Sequence, residues 1–330
     1  MRRREFITLL GSTAAAWPLA THAQQAAIPI VGWLSPATSQ SYSQPMPGSP
    51  GLHQLREALA RHGLIDGKNI RIDLRLAEGK LDRLPGLADT LVREGAAVIL
   101  AFGEPAGKAA QAVTNRIPIV CVADDLVNSG LAASLAKPGS NMTGGSILAT
   151  ELDTKKIEVL KEFLPGAKRF GILNDPATSG PDRPQGMAEV ARRLGVELQT
   201  IDVRGPDDLE PAFQAFRTGR AEGVNIVSSA MLTSFRRRLG ELSLAARVPA
   251  ICQWRNMVEA GCLASYGITI EELYAISADQ IAKLLKGAKA ADLPVQQPTK
   301  YELVVNLKTA KTLGIEIPPT LLARADEMME

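Results

Sequence analysis

The sequence contains few of the side chains that most often bind metals or carry out catalysis. It has three cysteines and three histidines among 330 residues. Cys121, Cys252 and Cys262 show neither Cys-x-x-Cys spacing nor the clustering with histidine that zinc sites require. His53 and His62 are the histidines outside the first 23 residues, and neither accompanies a serine nucleophile motif. We therefore expect no bound metal, no cofactor and no catalytic set, and we expect that the protein is not an enzyme.

The state of Cys252 and Cys262 has two possible interpretations. Cys252 and Cys262 would form a disulfide in an oxidising compartment, or both would remain thiols that pack as small hydrophobic side chains. The second interpretation is favoured, because free cysteine is among the most frequently buried residue types.

The chain also lacks an excess of charge of either sign. Arg2, Arg3, Arg4 and Glu5 are the charged residues of the first 23, and the remainder carries 34 basic and 34 acidic side chains. A neutral body without a basic stripe argues against a nucleic-acid partner. It also argues against a polybasic surface that would bind a membrane.

The first 23 residues have the pattern of an export signal. Basic residues come first, an apolar stretch follows from residue 6 to residue 20, and small residues close the segment. Arg3 and Arg4, followed by Glu-Phe-Ile, resemble the twin-arginine signal. Pro18 interrupts the apolar stretch, which is also short for a membrane span. We expect cleavage near Ala23 and a mature chain that begins near Gln24 and is localised in the periplasm.

The sequence gives no support to a bound nucleotide. Residues 103–109 (GEPAGKA) resemble a P-loop, but one residue is missing between the glycines, and Ala109 stands where a serine or threonine must bind Mg²⁺. The dinucleotide motif Gly-x-Gly-x-x-Gly does not follow the first predicted strand, where Gly32 is followed by Trp33.

From residue 28 onward, short β-branched apolar runs alternate with Gly/Pro/Asp/Asn-rich turns and amphipathic stretches of ten to fifteen residues. The predicted strands cover residues 28–34, 69–76, 97–101, 118–122, 169–173, 196–201, 223–227, 249–252 and 301–306. Continuous apolar strands separated by helices indicate a parallel sheet covered on both faces. Because the scheme repeats in two halves, we predict an α/β protein with two doubly wound, Rossmann-like lobes and a hinge between them.

Polar and aromatic side chains stand directly after the predicted strands. In an open parallel sheet, ligands bind beyond the carboxyl ends of the strands, where helix N-termini present free N–H groups. Such a set suits a small polar ligand with an apolar part, although each residue alone would equally serve as a helix N-cap. The predicted ligand-binding residues are Ser35, Phe102, Gly103, Glu104, Asp124, Asn174, Ser228, Trp254 and Tyr266.

The same positions suggest the chemistry of the ligand. Helix N-termini favour a carboxylate, and Asp124 or Glu104 suits an ammonium group. Phe102, Trp254 and Tyr266 are placed to stack on an aromatic part. We expect a small carboxylate-bearing ligand, such as an amino acid or a related aromatic acid. Trp33 lies within a predicted strand, a position more typical of the core than of a site.

Several segments, in order along nearly the whole chain, resemble the substrate-binding proteins of ABC importers. They are the leader and residues 65–70 (IDGKNI), 77–85 (AEGKLDRLP), 135–144 (LAKPGSNMTG), 259–267 and 293–306 (LPVQQPTKYELVVN). More narrowly, the chain is similar to the family that includes tryptophan/tyrosine-type binding proteins. The order of these segments and their coverage of the chain, more than any single motif, carry the resemblance.

This resemblance implies a type I periplasmic-binding fold, in which two lobes close around a solute and dock on a permease in the inner membrane. It implies a first lobe of residues 24–145 plus about 267–290, and a second of residues 146–266 plus about 291–330. A monomer is expected. The first lobe would supply Ser35, Gly103, Glu104 and Asp124; the second would supply Asn174, Ser228 and Trp254, with Tyr266 near the hinge.

The loops predicted to line the cleft depart from the family's pattern, so the resemblance leaves the ligand open. The first loop, residues 36–50, is rich in proline and serine, and Asp124-Asp125 stands where relatives tend to have Asp-Pro. A sensor subunit that serves a signalling receptor would have the same signature as an importer subunit. An enzyme is the third possibility, and it would need a catalytic set that the sequence does not show.

Overall fold

The structure is a computed structural model that describes residues 28–39, 51–178 and 182–330. The predicted export signal at residues 1–23 and most of the first loop lie outside the described residues. None of the described helices combines the length and the apolar character that a membrane crossing requires.

The first sheet has five parallel strands in the order β2-β1-β3-β4-β5. The strands are β1 (Ile30–Ser35), β2 (Arg71–Leu76), β3 (Ala96–Phe102), β4 (Ile119–Ala123) and β5 (Met142–Ser146). The helices between them are α1 (Leu52–Ala60), α2 (Leu84–Arg93) and α3 (Glu104–Val113). Strands β3 and β4 are almost wholly buried, which explains their continuous apolar sequence.

The second sheet has seven strands in the order β12-β11-β10-β9-β8-β6-β7, and its one antiparallel pair is β10 with β11. The strands are β6 (Arg169–Asn174), β7 (Glu197–Asp202), β8 (Gly223–Ile226), β9 (Ala250–Cys252), β10 (Ala264–Gly267), β11 (Glu302–Asn306) and β12 (Glu327–Met329). The helices include α4 (Ala149–Phe163), α5 (Asp182–Arg193), α6 (Leu209–Thr218), α7 (Ala230–Ser234), α8 (Arg236–Ala246) and α9 (Arg255–Glu259). The predicted α/β fold class of two doubly wound lobes is confirmed.

The chain passes between the two sheets three times. It leaves the first sheet after β5 to form α4, and it returns after β10 to form α10 (Ile270–Leu285), which packs on β3, β4, β5 and α1. It then runs back to β11, and on the way Gly145 pairs with Gln296. The helices α11 (Leu307–Leu313) and α12 (Pro319–Arg324) follow in the second unit. Below, lobe 1 means the first sheet with its helices and α10, and lobe 2 means the rest; their exact residue boundaries stay a prediction.

Four short elements were not predicted: β5, β10, β12 and α9. Strand β5 has the sequence MTGGS, which lacks a β-branched run, and α9 and β12 are too short to show a period. Residues 230–246 form two helices, α7 and α8, which meet at Phe235. Cys121, Cys252 and Cys262 are buried free thiols, in agreement with the favoured interpretation.

Gly144 allows β5 to lie against β4. Its φ is +142°, and a Cβ atom there would lie 1.9 Å from the carbonyl oxygen of Cys121. An alanine would therefore push two paired strands apart beside the first passage between lobes. Gly86 is the opposite case, because it is an exposed residue of α2 with open space around its Cα.

We expect Gly144→Ala to lower the free energy of unfolding by at least about 2 kcal/mol, since the backbone has to shift. Gly86→Ala, the matched control, should raise it by about 0.5–1 kcal/mol, because alanine has the better helix propensity. Urea denaturation followed by circular dichroism measures both. Equal midpoints for the two variants would contradict this explanation of Gly144.

Candidate functional site

The carboxyl ends of the two sheets face each other across a cleft that encloses about 790 Å³ of empty space, part of it open to solvent. Lobe 1 contributes Ala37, Phe102, Gly103, Glu104, Val122, Ala123, Asp124, Ile270, Leu273 and Tyr274 to its lining. Ile147, between the lobes, and the lobe 2 residues Thr178, Ser228, Ser229, Ala230, Thr233, Ser234 and Trp254 complete it. Most of these side chains are apolar, and hydroxyl groups make up most of the remainder.

The wall of lobe 1 is built at the turn from β3 into α3. Gly103 has a φ of +82°, which glycine adopts without strain, and its N–H donates to the carbonyl of Val122 at 2.8 Å. The chain thereby turns sharply after Phe102 and presents Glu104 at the cleft. The Glu104 Oε1 lies 2.5 Å from Nζ of Lys108, one helical turn away, whose side chain is 58% exposed.

The wall of lobe 2 is held by hydrogen bonds among buried polar residues. Ser229 caps α7 by accepting from the N–H of Leu232 at 3.2 Å, and its hydroxyl donates to Asp175 Oδ2 at 2.5 Å. Burial raises the pKa of Asp175, although the hydrogen bond from Ser229 opposes this. The Thr178 hydroxyl donates to the Ser228 carbonyl at 3.3 Å. These bonds fix the hydroxyl-bearing side of the cleft.

Aromatic rings form one end of the cleft. Phe102 and Tyr274 lie 5.7 Å apart between ring centroids, and both pack on Trp33, at 5.4 and 5.9 Å. Trp33 is fully buried, so it supports the site from the core, as its place within a strand suggested. Trp254 follows β9 and lines the cleft from lobe 2, with 9% of its surface exposed.

Six of the nine predicted residues line the cleft: Phe102, Gly103, Glu104, Asp124, Ser228 and Trp254. The other three lie outside the lining. The Ser35 hydroxyl accepts from the N–H of Ala37 at 3.2 Å, as expected of a turn residue. Asn174 donates to Asp202 Oδ1 at 2.8 Å on the neighbouring strand β7. Tyr266 stacks on Tyr301, with 6.2 Å between ring centroids.

A buried cluster of charges lies at the wall of the cleft. Arg183, from α5, is 1% exposed, and its Nη1 donates to Asp124 Oδ2 at 2.6 Å. Its Nε donates to Asp153 Oδ2 at 2.5 Å, and other N–H groups donate to the carbonyls of Thr178 and Ser228. Lys156, fully buried on α4, contacts Asp153 at 2.6 Å. The cluster therefore joins lobe 1, through Asp124, to lobe 2.

The pKa values of the two carboxylates in this cluster are shifted in opposite directions. Burial raises the pKa of Asp124 to about 7, because the attraction of Arg183 only partly offsets the loss of water. Asp153 is also buried, but Arg183 and Lys156 both lie against it and hold its pKa below the usual value. Asp124 is thus the less well compensated of the two.

Arg183, Tyr274 and Thr178 were missed by reasoning from the sequence. That reasoning selected residues directly after strands, whereas Arg183 and Tyr274 lie within helices and Thr178 lies in a loop four residues beyond β6. The Asp153–Lys156 spacing on α4 places both side chains on one helix face, but the same spacing occurs on solvated helices. Among the described residues, no group of histidine, cysteine and acidic side chains is arranged to hold a metal ion.

Comparison with known proteins places this architecture among binding proteins. Residues 51–329 match the family described as ABC transporter substrate binding protein. A tyrosine-binding protein of Clostridioides difficile is 26% identical over 262 residues, which cover 79% of this chain and 75% of that protein.

Two solved structures have the same fold. One is a conserved domain protein from Vibrio cholerae, with a TM-score of 0.82 and 26% identity, covering 91% of this chain and 99% of that chain. The other is an ABC domain of Streptococcus pneumoniae in complex with L-Trp, with a TM-score of 0.80, 23% identity and the same coverage. The likeness to both extends over nearly the whole described chain.

The buried charges predict a contrast between two adjacent lysines. Replacing Lys156 by methionine removes one of the two cations that compensate Asp153, and we expect a loss of about 3–5 kcal/mol in the free energy of unfolding. Lys155 is 39% exposed and pairs with Glu158, so Lys155→Met should cost less than about 1 kcal/mol. Urea denaturation of both variants makes the comparison. Similar losses would show that the buried cluster is not stabilised as described.

Proposed function

From the premise that the chain belongs to the family of ABC transporter substrate-binding proteins, we propose that it captures a small carboxylate-bearing ligand with an apolar or aromatic part. The observation that carries the proposal is the cleft itself, whose apolar walls hold a few hydroxyl and charged groups between two lobes. The family is one of binding proteins and not of enzymes, so both the predicted family and the expectation of a non-enzymatic protein are confirmed.

The aromatic residues support an apolar part on the ligand. Phe102 and Tyr274 on lobe 1 and Trp254 on lobe 2 would enclose a ring or an aliphatic chain from both sides. Ile270 and Leu273 add aliphatic surface from α10. The tyrosine-binding relative and the L-Trp complex favour an aromatic amino acid within this class.

The helices around the cleft support a carboxylate. Helix α3 begins at Glu104, α4 begins two residues after Ile147, and α10 begins at Ile270, so the N-termini of three helices adjoin the lining. Their first N–H groups and their dipoles favour an anion.

Capture would proceed by closure of the lobes. A ligand that contacts both walls stabilises the closed arrangement more than the open one and so shifts an existing equilibrium. The three passages between the sheets are short enough to act as the hinge. The chain would act as a monomer, and the closed form would present its ligand to a permease of an ABC importer.

The same function sets the expected location. Substrate-binding proteins of this family work outside the cytoplasm, and the leader with Arg3 and Arg4 supports export to the periplasm by the twin-arginine route. Cleavage near Ala23 would release the mature chain.

Truncating Trp254 should weaken ligand binding strongly. We expect Trp254→Ala to lower the affinity for L-tryptophan or L-tyrosine, whichever binds, by about 30- to 150-fold, because a buried aromatic contact is worth about 2–3 kcal/mol. Isothermal titration calorimetry measures the change. Tyr266→Ala is the matched control: this aromatic residue lies outside the lining and should alter the affinity by no more than about twofold.

Either of two results would contradict the proposed ligand class. One is that neither aromatic amino acid nor the related aromatic acids bind. The other is that Tyr266→Ala reduces the affinity as much as Trp254→Ala does, which would place the ligand away from this cleft.

A further inference from the structure

Trp254 lies at the start of a short connection between two strands of the second sheet. Residues 253–263 join β9 to β10 and contain α9, a helix of five residues that begins directly after Trp254. The carbonyl of Trp254 accepts from the N–H of Met257 at 2.9 Å, which ties Trp254 to the turn of α9. A single helical turn forms few internal hydrogen bonds and is not stable by itself. The position of Trp254 therefore depends on contacts from outside this connection.

Two polar side chains of the connection do not anchor it. Gln253 and Asn256 are 2% and 0% exposed, and neither side-chain amide forms a hydrogen bond within the described residues. Buried amide groups usually have such partners. The side-chain bonds that anchor the connection come instead from the elements β11, α11 and β12.

Arg255, the residue next to Trp254, joins α9 to β12. Its Nε and Nη2 donate to the two carboxylate oxygens of Glu327, both at 2.7 Å. A guanidinium that binds a carboxylate through two bonds fixes the direction of the side chain as well as its distance. These bonds also hold the pKa of Glu327 below its usual value, so the pair is charged at neutral pH. Glu327 is itself fixed by the parallel pairing of β12 with β11.

Two further bonds reach the same connection from β11 and α11. The side-chain amide of Asn306 donates to the carbonyl of Val258 at 2.8 Å, and the hydroxyl of Thr309 donates to the carbonyl of Gly261 at 3.3 Å. Both bonds hold the half of the connection that is farther from Trp254. The ion pair of Arg255 with Glu327 holds the half that includes Trp254.

We propose that the Arg255–Glu327 ion pair positions Trp254 in the wall of the cleft and thereby raises the affinity of the cleft for its ligand. This inference rests on the proposed function and deepens it, because it assigns a positioning role to two residues that do not line the cleft. A side chain that binds a ligand has to be held close to its productive geometry by supporting residues. Without the ion pair, the indole would sample more orientations, and binding would have to restrict them at a cost in affinity.

The loss of this ion pair should leave the fold intact. The side chains of Arg255 and Glu327 are 29% and 39% exposed, and exposed ion pairs contribute little to stability. Arg255 also donates to Glu259, one helical turn away, and it keeps this partner when residue 327 is neutral. We therefore expect Glu327→Gln to unfold at nearly the same urea concentration as the parent protein.

Calorimetry with L-tryptophan, or with L-tyrosine if that is the ligand bound, measures the effect on affinity. Glu327→Gln should weaken binding by about 3- to 10-fold, which is within the range for residues that act on a site without touching the ligand. In the Trp254→Ala background the same substitution should change the affinity by no more than about twofold, because the side chain that the ion pair positions is absent. The matched control is Glu162→Gln, which removes the partner of Arg324 on α12. That ion pair joins α12 to α4, so the control should bind as the parent does.

A second measurement needs no ligand. Acrylamide quenching of the fluorescence of the mature chain, compared between each protein and its Trp254→Ala counterpart, separates the signal of Trp254 from that of the buried Trp33. The quenching of Trp254 should increase in Glu327→Gln and stay at the parent value in Glu162→Gln.

Three results would overturn the inference. They are parent-like quenching in Glu327→Gln, parent-like affinity in Glu327→Gln, and an equal loss of affinity with and without the Trp254 side chain. If neither amino acid binds the parent protein, the proposed aromatic class fails, and the quenching result alone decides whether the ion pair positions Trp254.

Discussion

The guanidinium of Arg183 forms an ion pair that links the two lobes. Among the ion pairs of the described residues, Arg183 with Asp124 is the one that connects lobe 1 to lobe 2. It also binds two carbonyl groups from the wall of lobe 2, so one buried side chain sets the position of Asp124, Thr178 and Ser228 together. Burying an arginine is costly without partners, and here four hydrogen bonds compensate it. The polar part of the cleft depends on this arrangement, while the rest of the cleft is apolar.

That division between one charged wall and several apolar ones is what a receptor for small amphipathic molecules needs. Apolar contacts from Phe102, Trp254 and Tyr274 supply affinity without much direction, whereas charged groups in a poorly hydrated cleft discriminate between ligands. The distribution of both kinds of contact over two lobes links binding to closure. A cleft of this kind requires no reactive group.

The pattern of the sequence predicted most of this architecture. Continuous apolar strands and amphipathic helices identified two parallel α/β units, and the rule that ligands bind beyond strand ends placed Phe102, Glu104, Asp124 and Trp254 in the cleft. The same rule selected Ser35, Asn174 and Tyr266, because it indicates an edge of the sheet but not the direction of a side chain. Ser35 and Asn174 instead bond within their own lobe, and Tyr266 stacks on Tyr301, the residue before β11.

The local sequence pattern did not predict the residues that tertiary packing places at the site. Tyr274 reaches the cleft because α10 returns from the second sheet to pack on the first. Arg183 reaches Asp124, in the wall of the cleft, because α5 lies beside α4. An arginine near the start of a polar helix is usually exposed, and nothing in the local sequence distinguishes this buried one. Strand β5 was not predicted for a related reason. Its Gly144 is required by the close approach of β4, which the local sequence does not show.

The most direct measurement is small-angle X-ray scattering of the mature chain with and without saturating L-tryptophan, or L-tyrosine if that is the ligand bound. Capture between two closing lobes predicts a smaller radius of gyration in the bound sample. An unchanged radius in a sample that calorimetry shows to be saturated would contradict closure as the mechanism of capture.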